Sequence, residues 1–372
     1  MSKLQNWLND SKYINPLSPA CKMCSKGSKL VLLITGLCDS NCFYCPLSFK
    51  KFGKDRIFVD EWELRSEDDT DKLIREAELI DANGAGITGG DPLIVWKRTK
   101  RYISILKQEF GPKFHIHLYT QALKNDFYIE DLISAGLDEI RFHPSLNFWG
   151  DMNNSPVSKI ICKTIKKEID VAIEIPSIPG MENEIISLIE WSDINGVKWV
   201  NINELEFSEH NVDNFNNRKY VVKNEISSSV KGSETTAYKI LDKISKLDYK
   251  IGVHYCSCSF KDGIQLKNRI IRRAKNIVRN YEIISDEGTI IKGIICPNNK
   301  YTIKDVYRKL VLEYSIKKDR IYINHNKNRI EIDVLILNEF ALDLKNEGIS
   351  SYLIEEYPTH DKIEIEKIPL PI

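Results

Sequence analysis

The feature of this sequence that most constrains its fold is an alternation of short apolar runs with amphipathic segments between residues 30 and 255. Seven runs have the length and apolar character of buried strands, and helix-like segments separate them. Several of those segments close with glycine, which is typical of a helix C-terminus. Repeated strand–helix units predict a parallel sheet covered by helices. The seven runs are 30–35, 85–88, 114–119, 139–142, 171–175, 199–202 and 249–254.

The number of units indicates the kind of sheet. Six or seven strand–helix units in about 230 residues suit an open or partial barrel, because a closed eight-unit barrel usually takes about 250 residues. We therefore predict an α/β fold, a partial (β/α)6 barrel followed by a small α+β domain around one helix, Ile303–Tyr314. The expected parts are an N-terminal segment with a cysteine pair (1–28), the barrel (29–260), a basic helix (261–280) and the C-terminal domain (281–372). The long polar connection 206–235 is expected to be functional or mobile.

Composition narrows the setting and the class of function. The chain has 372 residues with 53 basic and 53 acidic side chains, and this balance excludes a uniformly basic nucleic-acid binder. The N-terminal stretch lacks the apolar core of a signal peptide, and the longest apolar run, Leu30–Leu37, is too short to span a bilayer. We expect a soluble, cytoplasmic protein with no membrane partner. Its nine cysteines are then more typical of metal ligands or reactive thiols than of disulfides.

Three of the cysteines lie within eight residues of each other, directly after the first apolar run. They are spaced Cys38-x3-Cys42-x2-Cys45. Three thiolates can hold a cubane [4Fe–4S] cluster while one iron remains without a protein ligand. A structural zinc site would need a fourth cysteine or histidine, and none follows in this loop.

This loop, with the aromatic Tyr44 just before its last cysteine, resembles the signature of the radical S-adenosylmethionine superfamily. The resemblance covers roughly residues 28–255 and implies a radical S-adenosylmethionine partial barrel. It implies that the open iron binds S-adenosylmethionine and that reduction of the cluster yields a 5′-deoxyadenosyl radical, which abstracts a hydrogen atom. Cys38, Cys42 and Cys45 would ligate this catalytic cluster, and Tyr44 would line the adenine side.

Further positions extend the resemblance. Gly89-Gly90-Asp91 after the second strand is similar to the family's Gly-Gly-Glu-Pro turn, which holds the methionine amino group, although Asp91 is one methylene shorter than glutamate. Thr120, Arg141 and His143 stand at the ends of the third and fourth strands, where the family places residues near the ribose or the methionine carboxylate. Arg141 and His143 also suit ordinary polar residues of a barrel interior.

The remaining paired cysteines suggest a second metal site. Cys21-x2-Cys24 and Cys256-x-Cys258 together offer four thiols for an auxiliary iron–sulfur cluster or a zinc ion. One objection is that Cys24 precedes the first strand whereas Cys256 follows the last, so the two pairs are expected at opposite ends of a parallel sheet. Alternatively, Cys256 alone reaches the active site as a redox thiol or hydrogen-atom donor. Cys162 and Cys296 are expected to be ordinary buried thiols.

A basic segment suggests a nucleic-acid partner. Residues 261–279 carry a local excess of six positive charges and read as a helix that could bind RNA phosphates. The alternative is a solvated amphipathic helix, which the acidic C-terminal region would pair with.

The sequence is therefore compatible with three functions. The first is a radical S-adenosylmethionine enzyme with an unknown substrate, including RNA modification, served by a ferredoxin- or flavodoxin-type electron donor. The second is a glycyl-radical enzyme activase, which the turn at Pro179-Gly180 and the resemblance to archaeal relatives of the pyruvate formate-lyase activating enzyme favour. The third is a non-catalytic zinc-binding module.

Overall fold

The computed structural model describes residues 4–371 and divides the chain into two compact units, with the boundary between Leu266 and Lys267. The segment predicted as one basic helix is divided by this boundary. Residues Lys261–Leu266 form a π-helical turn in the first unit, and a regular helix begins at Lys267 in the second. No helix within residues 4–371 combines the length and apolar character needed to cross a membrane.

The strands and helices of the first unit include a strand at each of the seven positions expected from the sequence. The strands are β1 (Leu4–Asn6), β2 (Lys12–Ile14), β3 (Lys29–Thr35), β4 (Ile57–Val59), β5 (Trp62–Leu64), β6 (Gly84–Gly89), β7 (His115–Thr120), β8 (Glu139–Phe142), β9 (Asp170–Ser177), β10 (Trp199–Glu204), β11 (Val222–Asn224), β12 (Ser227–Val230) and β13 (Gly252–Cys256). The helices are α1 (Pro19–Cys24), α2 (Thr70–Leu79), α3 (Trp96–Phe110), α4 (Ile129–Ser134), α5 (Pro156–Ile165), α6 (Glu182–Asn195), α7 (Val212–Asn217), α8 (Ser233–Ser245) and α9 (Cys258–Phe260).

The large sheet has eleven strands in the order β1-β2-β13-β10-β9-β8-β7-β6-β3-β4-β5. The strands from β3 to β13 within this order pair in parallel, so six strand–helix units are followed by a seventh parallel strand. Antiparallel hairpins flank them, β1–β2 beside β13 and β4–β5 beside β3. The apolar side chains of these strands and of the helices that cover them form one continuous core.

The N-terminal segment reaches into the barrel from the amino ends of the parallel strands. β2 runs antiparallel to β13, and Trp199, the first residue of β10, donates from Nε1 to the carbonyl of Pro16 at 3.0 Å. Helix α1 follows, capped by the Ser18 hydroxyl, which accepts from the backbone N–H of Cys21 at 3.1 Å. It contacts β3 and β6, while the Ser18 hydroxyl also accepts from Arg141 on β8 at 2.9 Å. α1 therefore lies across this end of the barrel.

The long connection after β10 is ordered into short elements. It carries α7 and the hairpin β11–β12, and the backbone of Phe207 donates to Ser228 at 2.7 Å. The backbone N–H of Val230 also donates to the carbonyl of Leu205, directly after β10, at 2.7 Å. The segment therefore lies close to the carboxyl end of β10, at the face where α/β barrels place their functional groups.

The second unit is an antiparallel sheet with two helices in its core. Its strands are β14 (Ile283–Ile284), β15 (Ile290–Cys296), β16 (Ile321–Asn324), β17 (Arg329–Ile332), β18 (Ser350–Glu356) and β19 (Glu364–Leu370), and its helices are α10 (Lys267–Ile277), α11 (Ile303–Leu312) and α12 (Val334–Asn346). α11 begins with a capping box between Thr302 and Asp305, a pattern typical of a helix N-terminus, and it corresponds to the helix predicted from the sequence. α12 was not predicted from the sequence, because its first residues, Val-Leu-Ile-Leu, have the composition of a strand.

Candidate functional site

A cavity of about 450 Å³ opens inside the first unit. The cysteine loop that follows β3 lines it, as do the ends of β6 to β10 and β13. Helix α1 contributes from the opposite side. The cavity therefore collects residues that are far apart in the sequence, and the sequence-predicted residues on it are Cys21, Cys24, Cys38, Cys42, Tyr44, Cys45, Gly89, Gly90, Thr120, Arg141, His143 and Cys256.

The three loop cysteines are half-buried and all face this cavity. The loop between them is tied to the end of β7 through Gln121. Gln121 Nε2 donates to Cys42 Sγ at 3.2 Å, and its Oε1 accepts from the Ser40 hydroxyl. Gln121 had no predicted role, although it directly follows the predicted residue Thr120.

A second tie joins the loop to β8 and β9. The hydroxyl of Tyr44 and Nε2 of His143 share a hydrogen bond at 2.9 Å, and Nδ1 of His143 lies 2.6 Å from the carbonyl of Glu174. The carbonyl of Tyr44 accepts from Asn211 Nδ2 at 3.4 Å. His143 therefore positions the aromatic residue of the loop and stands close to the sulfur of Cys42.

The thiols of the loop differ in how readily they ionise. Burial raises the pKa of Cys38 to about 11 and also raises that of Cys45. Burial would likewise raise the pKa of Cys42, but the hydrogen bond and charge of His143, with help from Gln121 and Tyr44, outweigh it and lower the pKa. The pKa of His143 is raised, because its interaction with Cys42 outweighs burial. Cys42 is therefore the loop sulfur best prepared to be a thiolate, the form that binds metals.

The glycine turn after β6 is required by the packing of the cysteine loop. Gly89 has φ +129°, and a Cβ at Gly90 would lie 1.9 Å from the carbonyl oxygen of Leu37. The backbone N–H of Gly90 donates to Thr35 at 2.8 Å, and that of Asp91 donates to Leu37 at 2.7 Å. The loop and the turn thus form one unit, and both glycines line the cavity.

Asp91 is buried and its carboxylate is occupied by neighbours. One oxygen accepts from the Thr120 hydroxyl at 2.7 Å and from the N–H of Leu93 at 3.0 Å, and the other accepts from the N–H of Gln121 at 3.0 Å. Asp91 does not line the cavity, whereas Thr120 does. Burial raises the pKa of Asp91 in spite of these bonds. The contacts of Asp91 are those of a residue that positions the end of β7.

Arg141 lies in a buried network of charges rather than free in the cavity. Its guanidinium donates to Glu139 and Glu174, at 2.6 Å in each case, and reaches Cys21 Sγ at 3.7 Å. Glu174 also accepts from Asn201 at 3.2 Å and Asn203 at 2.8 Å. Burial would raise the pKa of Glu174, but the charge of Arg141 outweighs it and lowers the pKa. Sequence periodicity alone could have grouped Asn201 and Asn203, since they alternate along one strand.

The other cysteine pairs are regrouped by the fold. Cys21, Cys24 and Cys256 line the cavity, because α1 enters the barrel interior instead of staying outside the sheet. α1 crosses the amino ends of the strands and Cys256 is the last residue of β13, so the two pairs come from opposite ends of the sheet, yet three of their four thiols line one cavity. Cys258 does not line the cavity, and its thiol donates to Glu206 at 3.5 Å.

The basic side chains of the segment 261–279 also lie in different environments, some buried and some exposed. Lys261 lines the cavity and pairs with Glu206 at 3.1 Å, and Arg273 is buried and donates to the carbonyl of Pro358. Lys275 and Arg279 are exposed. Burial of part of this charge reduces the surface offered to phosphates, and RNA binding stays a prediction.

Within residues 4–371, no three histidine, cysteine or acidic side chains surround a single point as the ligands of one metal ion would. This geometry gives no support to a mononuclear zinc site at either cysteine group. The same geometry is compatible with an iron–sulfur cluster, because each thiolate ligand of a cluster binds a different iron and the ligand sulfurs need not surround one ion.

Each unit contains a region that matches a known protein family. Residues 32–192 match the family described as the radical SAM superfamily, and residues 288–370 match a domain of unknown function (DUF8061). A curated protein of Methanocaldococcus jannaschii is 38% identical over 380 residues, covering 100% of this chain and 96% of the relative. It carries the provisional name glycyl-radical enzyme activating enzyme.

Solved structures with a similar arrangement are more distant. Streptococcus suis SuiB is 12% identical with a TM-score of 0.42, covering 62% of this chain and 49% of that one. TsrM of Kitasatospora setae, described as a radical S-adenosylmethionine methyltransferase, is 8% identical with a TM-score of 0.37, covering 70% of this chain and 54% of that one. This chain therefore spans about half the length of these solved structures.

Proposed function

We propose, since the chain belongs to the radical S-adenosylmethionine superfamily, that Cys38, Cys42 and Cys45 hold its [4Fe–4S] cluster and that the adjoining cavity binds S-adenosylmethionine. The observation that supports this most directly is that three thiols of one loop face one cavity. The loop offers no fourth thiol, so a cubane held there keeps one iron open to a ligand.

When bound, the cluster supplies the electron that breaks the sulfonium–C5′ bond of S-adenosylmethionine, and the resulting 5′-deoxyadenosyl radical abstracts a hydrogen atom. The chain's own residues orient the reactants. Gln121 and His143 hold the cysteine loop, and the backbone at Gly89 and Gly90 offers polar groups to the methionine end. Asp91 acts by holding Thr120 and Gln121 in place. The electron is proposed to come from a ferredoxin- or flavodoxin-type donor.

Arg141 is proposed to act at the far side of the cavity. Its charge is shared by Glu139 and Glu174, so it is not available as a simple partner for the methionine carboxylate. Instead it keeps Glu174 ionised and directs it, with Asn201 and Asn203, toward the interior. These polar groups form the surface on which a substrate would lie.

Cleavage of S-adenosylmethionine is the direct test. The protein, reconstituted with iron and sulfide under anaerobic conditions and reduced with dithionite, is expected to form 5′-deoxyadenosine. Cys38→Ala should abolish this activity, whereas the control Cys162→Ala should not, because Cys162 lies on α5 away from the cavity. Formation of 5′-deoxyadenosine by Cys38→Ala at the wild-type rate would reject the assigned ligands.

The substrate proposed here is a glycine of a partner protein. The name of the Methanocaldococcus jannaschii relative favours this reading over RNA, and that relative matches this chain over its whole length. Proteins labelled with deuterium at the glycine α-carbon should transfer deuterium into 5′-deoxyadenosine. A cell extract labelled in this way is separated into protein, RNA and small-molecule fractions, and deuterium transfer is expected from the protein fraction. Transfer only from the small-molecule or RNA fraction would reject the glycine substrate, although cleavage of S-adenosylmethionine would still stand.

A further inference from the structure

Three thiols line the cavity in addition to those of the cysteine loop. Cys21 and Cys24 come from α1, and Cys256 ends β13. The side chain of Asn201 reaches Cys21 Sγ at 3.4 Å, and Asn201 lies directly opposite His254 in the pairing of β10 with β13. The register of these two strands therefore brings His254 and Cys256 to the wall that Cys21 faces, since residues two apart on a strand share a face.

His254 is a buried histidine without a polar partner. It is 4% exposed and lines the cavity, and neither Nδ1 nor Nε2 makes a hydrogen bond. Its ring packs edge-on against Trp7 and Phe260, with centroid distances of 5.2 and 6.2 Å. Buried polar groups nearly always have a partner, so two unsatisfied ring nitrogens beside a cavity indicate a missing ligand.

We propose that Cys21, Cys24, Cys256 and His254 bind a second iron–sulfur cluster inside the barrel. Three thiols and one imidazole match the ligands that such clusters use. Within the described residues no three of these side chains converge on one point, as a single zinc ion would require, whereas a cluster takes each ligand on a separate iron. The same spread holds for Cys38, Cys42 and Cys45, whose cluster is expected from the family.

Cys258 is excluded from this ligand set, which differs from the pairing expected from the sequence. The thiol of Cys258 donates to Glu206, and its backbone N–H donates to Glu204 at 2.7 Å. Glu204 and Glu206 line the cavity that Cys21 and Cys24 face, but Cys258 itself does not. His254, two residues before Cys256, takes the place of Cys258.

The surroundings also suit the sulfurs of a negatively charged cluster. Arg141 Nη2 lies 3.7 Å from Cys21 Sγ, and Gln265 Nε2 lies 3.7 Å from Cys256 Sγ. Lys29, the first residue of β3, also lines the cavity. Hydrogen-bond donors and cations around ligand sulfurs stabilise a bound cluster and tune its potential.

The test separates the second cluster from the first. The triple variant Cys38→Ala, Cys42→Ala, Cys45→Ala of the full chain is reconstituted anaerobically, and its iron and acid-labile sulfide are counted. We expect about two to four irons per chain, because only the loop cluster is lost. In the same background, Cys21→Ala with Cys24→Ala should remove the remaining iron, and the matched control Cys258→Ala should keep it. A triple variant without iron and sulfide, or one that holds zinc instead, overturns the proposal.

His254 has its own measurement. In the triple variant labelled with 15N-histidine, pulsed electron paramagnetic resonance of the reduced cluster should show nitrogen coupling, and His254→Ala should abolish it. Circular dichroism melting confirms that each variant is folded. Loss of iron in Cys258→Ala, or unchanged nitrogen coupling in His254→Ala, would refute the assigned ligands. None of these measurements depends on cleavage of S-adenosylmethionine.

Discussion

The substitution Gly90→Ala tests whether the glycine turn and the cysteine loop act as one unit. A methyl group at this position would lie 1.9 Å from the carbonyl oxygen of Leu37 and 2.4 Å from its carbonyl carbon. Both neighbours are backbone atoms, so no flexible side chain can move aside. The loop must shift by about 1.5 Å to reach the 3.4 Å of ordinary contact, and Cys38 follows Leu37 directly.

The expected loss combines two effects. Crowding a well-packed region costs about 1–3 kcal/mol, and loss of the 2.7 Å bond from the N–H of Asp91 to Leu37 costs about 1 kcal/mol more. The variant should therefore lose about 2–4 kcal/mol of unfolding free energy. Because a displacement of about 1 Å at a reacting centre lowers rates by about 100-fold, formation of 5′-deoxyadenosine should fall by at least that factor.

The measurements are urea unfolding of the protein without metal and the initial rate of 5′-deoxyadenosine formation after reconstitution. Gly150→Ala is the matched control, because its Cβ would meet only a side-chain carbon of Glu184 at 3.7 Å. That variant should keep wild-type stability and rate. If Gly90→Ala behaves like Gly150→Ala in both assays, the cysteine loop does not depend on close approach to the glycine turn.

Two further predictions concern buried charges. Arg141→Met removes the cation that Glu139 and Glu174 share, so urea unfolding should show a loss of about 3–5 kcal/mol; an unchanged midpoint would contradict the network. In the second unit, burial would raise the pKa of Glu331, but the charge of Lys292 at 3.0 Å and bonds from Asn324 and Arg329 outweigh it and lower the pKa to about 2. A lowered folded pKa contributes stability that is present above the usual value of 4.5 and is lost as the pH falls through about 2. The stability advantage of wild type over Glu331→Gln, about 3 kcal/mol at pH 6, should therefore shrink between pH 4.5 and 2, and a constant difference would exclude this linkage.

The sequence by itself determined the sheet, the cysteine loop and the family. Seven short, mainly apolar runs separated by amphipathic segments predicted seven parallel strands, because repeated strand–helix units build a parallel sheet. Cys38, Cys42 and Cys45 could be grouped because all three lie within one loop, where spacing in sequence fixes proximity in space. α12 was missed because its apolar start reads as a strand, and packing against β15 and β18 decides its conformation.

Only the tertiary structure decided which distant residues meet. That α1 enters the barrel depends on β2 pairing with β13, a contact between residues about 240 positions apart that no local pattern encodes. The same pairing brings Cys21 and Cys24 to the cavity with His254 and Cys256, while Cys258 turns toward Glu206. Asp91 and Arg141 have the residue types that ligand binding would use, but burial forces each to satisfy its charge with protein neighbours first. Residue type and spacing thus indicate the chemistry, and long-range packing decides which side chains remain free to perform it.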